Sequence, residues 1–128
     1  MATNEEFLYV YREGDRGILP VQEGYSGVYL LFAPENFTIP PEGVLLLYLQ
    51  IRVQVPPGYI GRLGAEVDLV RSGIFASAET VDPCTRWELK LILINHTPDF
   101  YYGRRGQAVG RLILHRVIYP VVLQATQV

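Results

Sequence analysis

Leu47-Tyr48-Leu49-Gln50-Ile51-Arg52-Val53-Gln54-Val55-Pro56-Pro57-Gly58 is the stretch that decides the fold. Leu47, Leu49, Ile51, Val53 and Val55 fall on one side of an extended chain, and Tyr48, Gln50, Arg52 and Gln54 on the other. This period of two predicts a long half-buried strand, which Pro56-Pro57-Gly58 stops by removing ladder donors and turning the chain. Val, Ile, Tyr and Phe also fill Phe7 to Arg12, Gly27 to Ala33, Tyr59 to Ala65, Trp87 to Asn95 and Ala108 to Val122, so each reads as a strand. Between them lies turn chemistry: Gly14-Asp15-Arg16-Gly17, Pro40-Pro41-Glu42-Gly43 and Asp82-Pro83. Helical spacing is nowhere sustained without Gly or Pro, and at most one helical turn is expected near Leu69 to Ser77. Many short strands joined in this way predict an all-β jelly roll or distorted β-barrel with minimal helix. Leu89 to Ile94 and Arg111 to Val122 are apolar on both faces, which points to a seam between subunits.

With 128 residues the chain is one domain, large enough for a proper core. Its 49% apolar and 19% charged residues exclude intrinsic disorder of the body. A net charge of −2 leaves no electrostatic footprint for nucleic acid. The one adjacent basic pair, Arg104-Arg105, sits between Gly103 and Gly106 and reads as a solvated turn. Cys84 is the single cysteine, which excludes an internal disulfide and fits a reducing compartment. The polar, acidic N-terminus does not read as a signal peptide, and runs such as Val44 to Leu47 are too short to span a bilayer. A cytosolic protein without membrane insertion is therefore expected. Asn36-Phe37-Thr38 and Asn95-His96-Thr97 match the glycosylation acceptor pattern and are expected to be inert without secretion. His96 and His115 lack acidic or thiol company, so no metal and no cofactor are expected. Trp87 and the tyrosines read as core or interface packing.

The sequence closes on Ala125-Thr126-Gln127-Val128. A Thr two places before a terminal Val is what a class I PDZ domain captures. The peptide adds as an extra strand to a sheet edge, backbone amides hold the carboxylate, and the Val fills an apolar pocket. Val121-Val122-Leu123 is expected to finish the last strand. This gives residues 1–123 as a β domain and 124–128 as an exposed tail.

Three segments, taken in order, carry a resemblance. They are Ile39-Pro40-Pro41 leading into the long strand, then Val55-Pro56-Pro57-Gly58-Tyr59-Ile60-Gly61-Arg62, and then Leu93-Ile94-Asn95 with Arg105-Gly106-Gln107-Ala108-Val109-Gly110 and Arg116-Val117-Ile118-Tyr119-Pro120. Over roughly residues 17 to 122 the order resembles the dUTP pyrophosphatases, whose jelly-roll subunits assemble as trimers. With Pro20-Val21-Gln22-Glu23-Gly24, Asn95-His96-Thr97 and the Ala-Thr-x-Val ending, the whole chain is similar to the adenoviral early-region-four first-open-reading-frame family.

That resemblance implies a viral adaptor that engages host multi-PDZ scaffold proteins, stimulates phosphoinositide 3-kinase signalling at the membrane and alters metabolism partly through Myc. It implies a host-cell cytoplasmic protein drawn to the plasma membrane or junctions through its partners. Monomer and homotrimer remain open.

The enzyme family's motifs, laid onto this chain, imply no catalysis. Where the first motif needs a metal-holding Asp, the stretch is Gly27-Val28-Tyr29-Leu30-Leu31. Glu66 and Val67 stand where Arg and Ser should hold phosphates, and a carboxylate there repels a triphosphate. Asp82 matches the Asp that activates water, but Thr85 replaces the sugar-packing Tyr, Trp87 replaces a Gly, and Pro83 makes Asp82 a turn former. The fourth motif's Arg and Gln fall on Ala108 and Arg111, and the Gly-rich fifth motif has no counterpart before Val128. An active pyrophosphatase with divergent motifs is the alternative. Asp68, at the former nucleotide mouth, is a candidate partner-binding residue.

Overall fold

The computed structural model describes residues 6–126. Twelve strands and one short helix follow one another: β1 (Tyr9–Arg12), β2 (Val21–Gln22), β3 (Val28–Phe32), β4 (Phe37–Ile39), β5 (Val44–Tyr48), β6 (Ile51–Gln54), β7 (Tyr59–Ala65), α1 (Val67–Arg71), β8 (Ile74–Ala76), β9 (Glu79–Val81), β10 (Lys90–Asn95), β11 (Tyr101–Gly103) and β12 (Ala108–Arg116). They form a five-stranded sheet in the order β2-β3-β12-β7-β9, a three-stranded sheet β5-β10-β8, and the pairs β1-β6 and β4-β11. Every pairing is antiparallel. The all-β expectation holds, and among the described residues the strands form open sheets instead of closing into a barrel.

The long strand expected from Leu47 to Val55 is two strands. β5 ends at Tyr48, β6 begins at Ile51, and Gln50 between them is left-handed at φ 58°. The break lets one run of chain serve two sheets, because β5 pairs with β10 and β6 with β1. Its backbone is held from three sides. The Gln50 N–H donates to Glu88 Oε2 at 2.9 Å, the Glu13 N–H donates to the Gln50 carbonyl at 2.9 Å, and Leu89 bonds both Leu49 and Ile51. The alternation of burial survives the break: Leu47, Leu49, Ile51, Val53 and Val55 all lie in the core.

The remaining core comes from facing positions of the sheets, with Leu31, Leu63, Leu91, Leu93, Val109 and Leu112 buried. Helix α1 contributes Leu69, which is fully buried. The helix starts where the Glu66 carboxylate accepts from the Asp68 N–H, a side-chain cap for an otherwise unpaired donor. It stops at Ser72, before Gly73 at φ +84°. The expected helical turn therefore lies slightly upstream of Leu69 to Ser77, and Ile74–Ala76 is strand β8.

The last strand also ends earlier than Val122. Arg116 pairs with Tyr59, the first residue of β7, so among the described residues no neighbouring strand runs beyond it, and Pro120 has no N–H to offer a ladder. Ile118, Val121, Val122 and Leu123 are consequently exposed. The outward side of β5-β10-β8 carries Val44, Leu46, Tyr48 and Phe75, all exposed, with half-buried Ile92 and Ile94 between them.

Candidate functional site

The C-terminal segment leaves the body at a defined clamp. The Val117 N–H donates to the Gly58 carbonyl at 2.8 Å. Two residues on, the Tyr119 hydroxyl donates to the Tyr59 carbonyl at 2.7 Å and accepts from the Gly58 N–H at 2.9 Å. Pro56-Pro57-Gly58 makes this possible, because Gly58 sits at φ +88° and turns its amide and carbonyl outward. The ring of Tyr59 is fixed in turn by Arg116, whose guanidinium donates to its hydroxyl at 2.9 Å and lies 5.1 Å from the ring centroid. Glu6 pairs with Arg116 at 3.6 Å.

Around the clamp are two shallow, mostly apolar hollows. One is lined by Arg116, Val117, Ile118 and Pro120, the other by Asp82, Pro83, Cys84 and Tyr119. Among the described residues no backbone bond holds Ile118 to Thr126 to the body. Ala125 and Thr126 are exposed. Gln127 and Val128 lie outside the described residues.

Asp68 lies in the first turn of α1 and not in a loop. Its carboxylate is exposed and stands 3.7 Å from Arg71, one turn along. A pair so solvated contributes little to stability.

Asp82 is bound into its own turn. Its Oδ1 accepts from the Cys84 N–H at 2.8 Å and from the Thr85 hydroxyl at 3.3 Å, while the Thr85 Oγ1 accepts from the Asp82 N–H at 3.1 Å. Thr85 is buried by this exchange. Glu66 is occupied as the cap of α1, and Arg111 sits 3.8 Å from Glu23. Of the two roles expected for Trp87, core packing fails, because the segment before β10 runs over the surface and leaves it 65% exposed; an exposed indole is still compatible with the interface role.

The two basic residues at 104 and 105 form the expected turn. Arg105 is held by Pro34 and Asn36, and Gly106 is left-handed at φ +85°. Asn95 is fully buried with its side-chain amide and carbonyl both engaged, so the second acceptor pattern is closed in the folded chain. Among the described residues no group of three or more His, Cys, Asp or Glu side chains is placed to hold a metal ion.

The Tyr119 clamp has no local signature in the sequence. Tyr119-Pro120 after a strand marks a chain leaving its sheet, but the partner of the Tyr119 hydroxyl lies 61 residues away.

No family model matches the chain. It is 48% identical over 128 residues to the Early 4 ORF1 protein of human adenovirus C serotype 2, covering 100% of both. It is 46% identical over 123 residues to E4-ORF1 of human adenovirus D serotype 9, covering 96% of this chain and 98% of that protein. A deoxyuridine 5′-triphosphate nucleotidohydrolase of Debaryomyces hansenii is 30% identical over 124 residues, covering 95% of this chain and 78% of that enzyme. The D95N mutant dUTPase of phage phi11 of S. aureus superimposes with a TM-score of 0.87 over 95% of this chain and 98% of its own, at 14% identity, a likeness of fold. The chain therefore belongs to the adenoviral E4-ORF1 family and is built on a dUTPase-like β jelly roll.

Proposed function

We propose that this protein is a non-catalytic adaptor whose Ala125-Thr126-Gln127-Val128 is captured by class I PDZ domains of host multi-PDZ scaffold proteins. One observation carries the reading: Ile118 to Thr126 is exposed, has no strand partner among the described residues, and runs into a Thr-x-Val sequence. A backbone with unused donors and acceptors is what strand addition to a foreign sheet edge requires. The family resemblance supplies the downstream part, in which recruitment to the membrane or junctions from the cytoplasm promotes phosphoinositide 3-kinase and Myc-linked growth and metabolic signalling. A homotrimer would present three tails and raise avidity for tandem PDZ domains. Asp68 is a second partner contact in this scheme.

Loss of catalysis belongs to the same reading. The Asp82 carboxylate is committed to its turn, Glu66 caps α1 where phosphate donors are needed, and no residue of β3 carries a carboxylate to hold a metal. The 30% identical nucleotidohydrolase favours the alternative, an active enzyme with divergent motifs.

Two experiments separate the readings. Val128→Ala, or one residue added after Val128, is expected to abolish pull-down by tandem PDZ domains with the fold unchanged; retention by both variants refutes the adaptor mechanism. Incubation with dUTP and Mg²⁺ is expected to release no pyrophosphate, and turnover abolished by Asp82→Asn would establish the enzyme instead.

A further inference from the structure

The tail is short, and it is anchored. Among the described residues the last side chain hydrogen-bonded to the body is Tyr119, whose hydroxyl bridges Gly58 and Tyr59. Between it and Ala125 lie Pro120, Val121, Val122, Leu123 and Gln124. Tyr119 and Ala125 are thus six residue steps apart, at most about 20 Å when fully extended. A domain of roughly 100 residues has a radius of gyration of about 13 Å. A domain that grips residues 125–128 is therefore held against the clamp.

The spacer is also stiff. Pro120 fixes its first φ, and Val121 and Val122 are β-branched, which favours extended backbone. Val121, Val122 and Leu123 are 85%, 92% and 85% exposed, an apolar strip open to solvent. At its root Ile118 is 84% exposed, beside the hollow it forms with Arg116, Val117 and Pro120.

Resting on the adaptor reading above, we infer that the tail root is a second contact surface for the captured PDZ domain. Ile118 and the apolar spacer are buried against that domain's flank, and Tyr119 is the positioning residue that sets the reach. The last four residues provide class recognition, and the body discriminates among domains that accept the same ending. A second contact made once the first is engaged is intramolecular and strengthens binding without altering the motif.

The test compares the full-length protein with a nine-residue peptide of residues 120–128 on a panel of isolated recombinant class I PDZ domains, by fluorescence anisotropy. On at least one domain the full chain is expected to bind about tenfold or more tightly than the peptide. Ile118→Asp, at a solvent-exposed position that keeps the fold intact by circular dichroism, is expected to bring the full chain to the peptide's affinity. Tyr119→Phe, which keeps the ring and loses both hydrogen bonds, is expected to lose most of the same advantage. If full chain and peptide agree within twofold on every domain, or the peptide binds more tightly, Ile118 and the body beside it make no contact and the inference falls while the adaptor reading stands. If neither binds any domain, both fall.

Discussion

Asn95 closes β10 and ties three segments together, so replacing it should cost more than any surface change. Its Nδ2 donates to the carbonyls of Asp99, Pro40 and Ile39 at 2.8, 3.1 and 3.2 Å, and its Oδ1 accepts from the Thr97 N–H at 3.0 Å and the Thr97 hydroxyl at 2.8 Å. In Asn95→Ala, Pro40 is exposed enough to recruit water, and the Thr97 hydroxyl keeps its bond to the Asp99 carbonyl. The Ile39 carbonyl and the Thr97 N–H lose a partner, the first in a residue with no exposed surface. At about 1–3 kcal/mol for each stranded group, the expected loss is about 3 kcal/mol. With a urea slope of about 1–3 kcal/mol/M, the unfolding midpoint should fall by roughly 1–3 M, with the slope unchanged. Asn95→Asp keeps the shape, removes the donors and aims a carboxylate at three carbonyls, so it should be worse than the alanine. The assay is equilibrium urea unfolding followed by circular dichroism. An alanine variant within about 1 kcal/mol of the parent, or an aspartate variant more stable than the alanine, refutes the network's role.

Gly103 packs under the ring of Phe37, and a Cβ there would lie 2.0 Å from the ring. Gly103→Ala should lower stability by about 1–3 kcal/mol, with partial recovery when Phe37→Leu is added; calorimetry reads both. Glu42 is left-handed at φ 52° and its side chain bonds to none of the described residues, so Glu42→Gly should raise the melting temperature slightly, by relief of roughly 0.5–1 kcal/mol, and a fall would argue that the turn is unstrained. Asp82→Asn keeps an acceptor for Cys84 and should change stability by less than about 0.5 kcal/mol, whereas Asp82→Ala should lose about 1 kcal/mol; equal effects in urea unfolding would show that the turn does not depend on the side chain.

The strands readable in the sequence were those long enough to show a period. Tyr59–Ala65 lies where its pattern placed it, and the core side of Leu47 to Val55 is the observed one. The break at Gln50 was hidden because the alternation continues through it, and Gln carries no turn signature. What bends the chain there is tertiary: Glu88, Glu13 and Leu89 bond to it from distant segments. Strands β4, β8, β9 and β11 have three residues each, too few to display alternation, and exist because a neighbour pairs with them. The tail motif is a local pattern and was plain. Its clamp joins Tyr119 to a turn 61 residues earlier, a pairing only the fold reveals.

The buried state of Asn95 has a bearing on where this chain can be made. An oligosaccharyltransferase must draw an asparagine amide out into its own active site, and in the folded protein that amide is locked beneath the loop at 97–99. Sugar could be added at Asn95 only before folding, and a chain so modified could not then reassemble the bonds that amide makes. Attachment and folding at this position exclude one another. Natively folded molecules recovered from a secretory lumen would carry a glycan at the exposed Asn36 or none at all.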